Sequence, residues 1–139
     1  MHDDTPNPAP IQTDHHRALY EGFGYGPGAT AHGRFAFLSG QVGLEEDGSV
    51  SEDPDTQIRR LFANLKAVLD AVPAGPRDVV DMTSFHVGME RTMERMFCEK
   101  AAFFGDWNPA WTAIGVSELA LPGLMLELRV VVRVPDATN

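Results

Sequence analysis

The last predicted strand, Leu124–Val134, carries the residues whose types could do chemistry. Side chains alternate across a strand, so one face of this strand is entirely apolar and the other reads Glu-Arg-Val-Arg, beginning with Glu127 and Arg129. A carboxylate can act as a general base, and a guanidinium can hold an anion through paired hydrogen bonds. This polar face therefore either contacts bulk water or meets another subunit around a polar cleft, and the pattern favours the subunit.

Aromatic residues on an earlier strand support the same interpretation. The segment Arg34–Gly40 is predicted to be a strand, with Phe35 and Phe37 on one face. An open sheet that exposes aromatic side chains tends to associate. We therefore expect the bare face of the sheet to meet a second copy of the chain.

Other potentially reactive residues are less informative. The adjacent His15 and His16 have no third ligand nearby, so we expect no metal site there and no cofactor. Cys98 is predicted to lie in the middle of a helix with no histidine at helical spacing, which disfavours a role as a nucleophile. As the single cysteine, it also excludes an internal disulfide.

Length and charge limit the possible functions. The chain has 139 residues, which fits one domain, and 11 Lys and Arg against 20 Asp and Glu give a formal net charge of −9. Nucleic-acid binding depends on cationic side chains, so we expect no nucleic-acid partner. No run of about 18 apolar residues occurs and the N-terminus is acidic, so we expect no membrane span and a cytoplasmic location. The proline-rich start predicts a flexible arm over residues 1–20, followed by the folded domain over 21–139.

Two amphipathic helices are predicted. The first has about 18 residues; Asp53 can cap it, Pro54 suits its first position, and Pro73 stops it. The second spans Glu90–Phe104 and ends at Gly105. The apolar residues of the first helix recur at spacings of three and four: Ile58, Leu61, Phe62, Leu65, Val68, Leu69 and Val72.

The remaining strands complete an α+β architecture. Strands are predicted near Ala29–Ala31, at Asp78–Val87 and at Trp111–Val116, with a tight turn at Asp47-Gly48. Helices that are separated by single strands favour crossover connections. The expected architecture is therefore a mixed sheet of about six strands with both helices packed on one face and the other face uncovered.

Several ordered motifs resemble the RidA/YjgF family of reactive-intermediate deaminases. Phe37–Gly43 resembles that family's "(V/L)SGQ" strand end, and Asn64–Leu69 is similar to its "ENLKAVLEAAG" helix. Asp78–Phe85, Asn108–Ala110 and Leu121–Leu128 resemble its later strand and "PPAR" segments. Each motif is weak alone, but their order and spacing over residues 21 to 135 are specific.

The resemblance implies a fold, an assembly and an activity. Family members resemble chorismate mutase in fold and form homotrimers, with ligand clefts between the subunits. The well-studied subgroup hydrolyses enamines and imines to a 2-keto acid and ammonia. We therefore expect a chorismate-mutase-like single domain, a homotrimer and a small-molecule ligand at the subunit interface.

The resemblance also implies which residues line the cleft. Glu127 matches the glutamate that positions the attacking water. The other candidates match cleft-lining or main-chain binding positions of the family: Tyr25, Ser39, Gly40, Thr112 and Ala113.

The arginine that grips the substrate carboxylate in that subgroup is replaced here by Trp111. An indole has one neutral donor, whereas a guanidinium forms two parallel charge-assisted bonds, so the loss weakens binding of a carboxylate by roughly 30- to 1000-fold. Trp111 could form an aromatic wall for a planar uncharged ligand, or it could fill the cleft and close it. Arg129 could pair with Glu127, hold an anion, or form an ion pair at a subunit contact.

Two functions follow from this comparison. One is an imine or enamine deaminase with an altered substrate range, and the alternative is a non-enzymatic binder that uses the same cleft. Ribonuclease activity is disfavoured by the charge of −9. Chorismate mutase activity is disfavoured because a shared fold does not determine chemistry.

Overall fold

The structure, a computed structural model, describes residues 3–14, 20 and 26–137. Seven strands and two α-helices have their bounds within these residues. A short 3₁₀-helix at Pro76–Asp78 precedes the fifth strand. In chain order the elements are β1 (Ala9–Pro10), β2 (Ala29–Thr30), β3 (Arg34–Phe37), β4 (Gln41–Val42), α1 (Pro54–Ala71), β5 (Val79–His86), α2 (Met89–Phe104), β6 (Ala110–Gly115) and β7 (Leu126–Val134).

Helix α1 begins and ends where its sequence signals predict. The Asp53 side chain accepts a hydrogen bond from the Thr56 backbone N–H at 3.0 Å, and Pro54 occupies the first turn, where its missing N–H costs nothing. The predicted apolar stripe is buried at five of its positions, and the buried polar residue Gln57 lies beside them. The stripe is buried at Ile58, Leu61, Phe62, Leu65 and Leu69.

The main sheet is mixed, as predicted. Its strands lie in the order β3-β7-β5-β6, and β4 also pairs with β7. Strand β7 is antiparallel to β3, β4 and β5, whereas β5 and β6 are parallel and are joined by α2. Strands β1 and β2 pair with each other outside this sheet, which leaves five strands in it.

Both helices pack against one face of the sheet. Alternate residues of β7 enter this core, where they pack with residues of α1 and with residues of α2 such as Met96 and Phe104. The buried residues of β7 are Leu126, Leu128, Val130 and Val132. The opposite face, which we call the open face, exposes Phe37 by 70%, Ile114 by 41% and Phe35 by 37%. The α+β architecture with one uncovered sheet face is therefore confirmed.

A glycine allows α1 to approach the sheet closely. A side chain at Gly43, directly after β4, would place its Cβ 2.1 Å from the main-chain oxygen of Gln57 on α1. Asn64 on the same helix donates to the carbonyl oxygens of Val42 and Leu44, both at 2.9 Å. Helix α1 therefore fixes the position of β4 and of the loop that follows it.

Part of the predicted N-terminal arm contacts the domain. Ala9 is buried, β1 pairs with β2, and Arg77 donates to the Pro8 carbonyl oxygen at 2.8 Å. The flexibility of the arm and its boundary at residue 20 stay predictions. His15 and His16 lie outside the described residues. None of the helices in the described ranges has the length and apolar character needed to cross a membrane.

Candidate functional site

The carboxylate of Glu127 lies against the main chain of Gly40 on the open face. Glu127 is half-buried, and its backbone pairs with Val42 on β4 and with Phe85 on β5. A Cβ at Gly40 would lie 2.7 Å from the carboxyl carbon of Glu127 and 2.8 Å from its Oε2. A side chain at position 40 would displace this carboxylate from its present position, so the two residues form one unit.

A break between β3 and β4 creates that space. The predicted strand Arg34–Gly40 ends at Phe37, and pairing with β7 resumes at Gln41. The interruption falls at Ser39 and Gly40, and the Gln41 side-chain amide donates to the Ser39 carbonyl oxygen at 3.0 Å. The structure therefore brings three of the sequence-predicted residues together in one chain, namely Ser39, Gly40 and Glu127.

Gln57 holds the loop that leads into Glu127. Its fully buried amide accepts from the Met125 N–H at 2.7 Å and donates to the carbonyl oxygens of Gly123 at 3.0 Å and Ser51 at 3.1 Å. These bonds fix the chain two residues before Glu127. Sequence reasoning missed Gln57, although a polar residue on the apolar stripe of α1 was the available signal.

Trp111 faces the helices rather than the open face. It pairs with Met82 of β5, whose side chain is fully buried in the core. Its ring and that of Phe97 on α2 lie nearly perpendicular, with centroids 5.6 Å apart and planes at 83°. In one chain, Trp111 and Glu127 therefore lie on opposite faces of the sheet, and a single copy does not bring them together.

The other predicted residues of β6 and β7 are exposed. Thr112 and Ala113 lie on β6, an edge of the main sheet, and Thr83 of β5 separates Thr112 from Arg129. Within the described ranges, no ion pair of 4.0 Å or less joins Arg129 to Glu127. The remaining candidate, Tyr25, lies outside the described residues.

A buried chain of hydrogen bonds, which we call the Ser84 chain, lies behind Trp111. Its members, Ser84, His86 and Thr92, are each 0% exposed. The indole N–H of Trp111 donates to Ser84 Oγ at 2.9 Å, and Ser84 Oγ lies 2.7 Å from His86 Nε2. His86 Nδ1 lies 2.7 Å from Thr92 Oγ1. Burial lowers the pKa of His86, so the neutral imidazole is favoured.

The Ser84 chain was also missed from the sequence. Ser84 and His86 follow Met82 at alternate positions of β5, so the three residues share the covered face of the sheet. Two polar residues in register with a core methionine were the available signal.

Lys100 of α2 lies on the same side as Trp111. It is 4% exposed, its ammonium donates to Asn108 Oδ1 at 3.0 Å, and Nζ lies 5.3 Å from the centre of the Trp111 ring. Burial lowers the pKa of Lys100 to about 8. The structure therefore encloses the ammonium of Lys100 as well as the stem of its side chain.

Among the residues that the structure describes, no three His, Cys, Asp or Glu side chains are grouped so that they could hold a metal ion.

Comparison with known proteins identifies the family. The family model described as endoribonuclease L-PSP matches residues 16–134. The chain belongs to this family, which is the RidA/YjgF family. The RutC family protein YjgH of Escherichia coli is 39% identical over 109 residues, which cover 78% of this chain and 82% of that protein. A RutC family protein of Pyrococcus abyssi is 32% identical over 91 residues, covering 63% of this chain and 69% of the relative.

Solved structures of RidA/YjgF proteins confirm the fold. The Rid family protein YyfB of Yersinia pestis, described as a protein of unknown function, superimposes with a TM-score of 0.82 at 28% identity, covering 92% of this chain and 99% of that one. Protein YjgH superimposes with a TM-score of 0.69 at 34% identity, covering 95% of this chain and all of the other. The chorismate-mutase-like fold that the resemblance implied is therefore confirmed.

Proposed function

We propose that this RidA/YjgF protein is a homotrimeric deaminase that hydrolyses a small imine or enamine, with a substrate range altered by the loss of the family's arginine. The observation that carries the proposal is the half-buried carboxylate of Glu127, held against Gly40 at the break between β3 and β4. There it can position and deprotonate a water molecule. A cytoplasmic location belongs to the same proposal.

The placement of the residues supports a site shared between copies. Glu127 and Gly40 lie on the open face, where Phe35, Phe37 and Ile114 are exposed. Exposed aromatic and aliphatic side chains on a bare sheet favour association. A second copy that covers the open face would enclose Glu127 and could bring its own β6 edge beside it.

The reaction balances with water alone. Water adds to the C=N carbon while Glu127 accepts one of its protons, and Glu127 returns that proton to the nitrogen, which gives a carbinolamine. Glu127 then transfers the proton of the carbinolamine hydroxyl to the nitrogen as the C–N bond breaks, and a carbonyl compound and ammonia leave. An enamine enters this sequence as its imine tautomer. The backbone groups of Thr112 and Ala113 lie at a sheet edge, where strands present unpaired N–H and C=O groups, and these can hold the reacting nitrogen.

Ammonia release tests the proposal directly. Enamines and imines are generated in the assay by a serine or threonine dehydratase, and ammonia formation is followed with and without this protein. Substitution Glu127→Gln keeps the shape but removes the base, and we expect it to lower the catalysed rate by about 10²- to 10⁴-fold. Glu94→Gln, on an exposed position of α2, is the matched control and should leave the rate unchanged. No excess over the uncatalysed rate with any carboxylated or neutral imine would overturn the proposal.

A non-enzymatic binding role is the second candidate, and the replacement of the arginine by Trp111 favours it. The single donor of this indole is bonded to Ser84, so Trp111 offers no charged clamp. Thermal-shift screening of keto acids and aromatic metabolites distinguishes the roles. A binder gives saturable stabilisation, about 2.7 kcal/mol at a hundredfold excess over Kd, without turnover.

The charge of this chain disfavours RNA cleavage, the activity that the family's endoribonuclease description names. A formal net charge of −9 opposes the phosphate contacts that RNA binding requires. Retention of RNA by the protein on a filter, if it falls with rising salt concentration, would contradict this interpretation.

A further inference from the structure

The two ends of the Ser84 chain determine the direction of its hydrogen bonds. At one end the indole nitrogen of Trp111 only donates, so Ser84 Oγ accepts from it at 2.9 Å. At the other end the Met89 carbonyl oxygen only accepts, so Thr92 donates to it at 3.3 Å and Thr92 Oγ1 accepts from His86 Nδ1 at 2.7 Å. The neutral imidazole therefore carries its proton on Nδ1, and its Nε2 accepts from the Ser84 hydroxyl at 2.7 Å.

This arrangement satisfies each polar group in the enclosed region. Among the described residues, no buried side-chain nitrogen or oxygen lacks a hydrogen-bond partner. A half-satisfied buried network would be costly, whereas a satisfied one restricts its members to one geometry. The Ser84 chain therefore fixes the orientation of the indole from behind.

The Ser84 chain directs the polar atom of Trp111 toward Ser84, on the protein side of the ring. The indole nitrogen faces Ser84, the Phe97 ring lies nearly perpendicular to the indole, and Lys100 Nζ lies 5.3 Å from the ring centre. Trp111 is partly exposed, and because its nitrogen is bonded to Ser84, the rest of the indole ring is aromatic carbon.

We propose that Ser84, His86 and Thr92 are positioning residues that hold Trp111 so that the cleft accepts an uncharged planar group where the family's arginine would hold a carboxylate. The inference rests on the proposed function, since it concerns the substrate class of the same intersubunit cleft. It adds two residues on the covered face of the sheet, Ser84 and His86, and one residue of α2, Thr92, to the determinants of specificity.

Lys100 provides the competing possibility and is built into the test. It is the cation that lies against Trp111 among the described contacts, and it could attract a carboxylate if the indole moved. Around His86, the groups in direct contact are the hydroxyls of Ser84 on its own strand and Thr92 on α2.

The two tryptophans allow the orientation of Trp111 to be measured with an internal control. The Trp107 indole donates to the Val79 carbonyl oxygen at 2.8 Å and has no titratable partner in that bond. In a ¹H–¹⁵N spectrum, Ser84→Ala should shift the Trp111 indole signal and speed its exchange with water, while the Trp107 signal stays in place. Ser84→Thr, which retains the hydroxyl, should restore the Trp111 signal. Acidification through the pKa of His86 should move the Trp111 signal and not that of Trp107.

Benzamide and benzoate form a matched pair of probes for substrate class, since both are planar and only benzoate is charged. We expect the wild-type protein to bind benzamide at least tenfold more tightly, Ser84→Ala to reduce that preference, and Trp111→Arg to reverse it by tightening benzoate binding about 30- to 1000-fold. Lys100→Met should leave the preference of the wild-type protein unchanged.

Four results would overturn the inference: equal or tighter binding of benzoate by the wild-type protein, binding of neither probe, a benzoate affinity that depends on Lys100, or a Trp111 signal and preference that Ser84→Ala leaves intact.

Failure of the deaminase proposal is recognised separately. A protein that binds benzamide by this pattern but releases no ammonia keeps the inference and loses the catalytic function. A protein that turns over carboxylated imines better than neutral ones keeps the function and loses the inference.

Discussion

The two faces of the main sheet differ in the burial and hydrogen bonding of their polar residues. On the covered face, the polar groups of Ser84 and His86 bond to each other and His86 bonds to Thr92 of α2, and all three residues are fully buried. On the open face, Arg129 is exposed and Glu127 is half-buried beside exposed aromatic residues. The covered face is complete within one chain, whereas the open face has the composition of a surface that is completed by a partner. A change on the covered face should therefore act on stability, and a change on the open face on assembly.

The largest expected effect on stability comes from shortening a buried side chain on the covered face. Leu128 is 0% exposed in the centre of the core, so Leu128→Ala should lower the free energy of unfolding by about 2–5 kcal/mol, because it removes buried methyl groups and leaves a cavity. Urea denaturation at a fixed protein concentration measures this change. Leu128→Met, which nearly conserves volume, should cost less than about 1.5 kcal/mol. Equal costs for the two substitutions would mean that the position is loosely packed.

The next effect concerns two glutamines in different environments. Gln57→Ala removes the partner of three backbone groups, so we expect a loss of about 2–4 kcal/mol. Gln41→Ala removes a single bond at an only partly buried position and should cost less than about 1 kcal/mol. Urea denaturation of both variants measures the two losses of unfolding free energy. A larger loss for Gln41→Ala than for Gln57→Ala would contradict the prediction.

The third effect is a pH dependence caused by Lys100. Since burial lowers its pKa in the folded protein from 10.5 to about 8, the unfolded chain binds more protons between these values. The wild-type protein should therefore gain stability relative to Lys100→Met as the pH rises from 8 to 10.5, up to about 3 kcal/mol in total. Below pH 8 the difference should be constant. A flat difference between the wild-type protein and Lys100→Met would mean that the ammonium of Lys100 is hydrated in the folded protein.

The smallest effect on stability, and the largest on assembly, is expected at Phe37. This side chain is 70% exposed on the open face, so Phe37→Glu should change the stability of an isolated copy by no more than about 0.5 kcal/mol. If the open face is the subunit interface, the variant should elute as a monomer while the wild-type protein gives three times the mass in light scattering. Ala63→Glu, on the exposed side of α1, should remain trimeric. A wild-type monomer at micromolar concentration would remove the shared cleft.

Elements with a strong local signal were predictable from the sequence. Helix α1 follows from its stripe and from Asp53 and Pro54, and the faces of β7 follow from simple alternation. The bounds of the strands shifted by up to three residues, most at the end of β3, because the backbone leaves the sheet at Ser39 and Gly40. The pairing of β1 with β2 has no local signal, since it depends on contact between distant short segments.

The site was predictable only in part for a similar reason. The proximity of Gly40 and Glu127 follows from the family motifs. The face that Trp111 occupies depends on the parallel register that pairs it with Met82, and register is a property of the assembled sheet. The Ser84 chain depends on that same register, because it joins β5, β6 and α2.

Strand β6 has one further consequence for the life of the protein. In the described part of a single copy it pairs with β5 along one side, so its other side is a sheet edge whose backbone N–H and C=O groups can pair with a strand of another chain. A newly synthesised copy exposes this edge until another subunit covers it, so the risk of aggregation increases with the time that the copy remains a monomer. Closure into a ring of finite size would end such growth, so solubility during synthesis would depend on how quickly copies find one another.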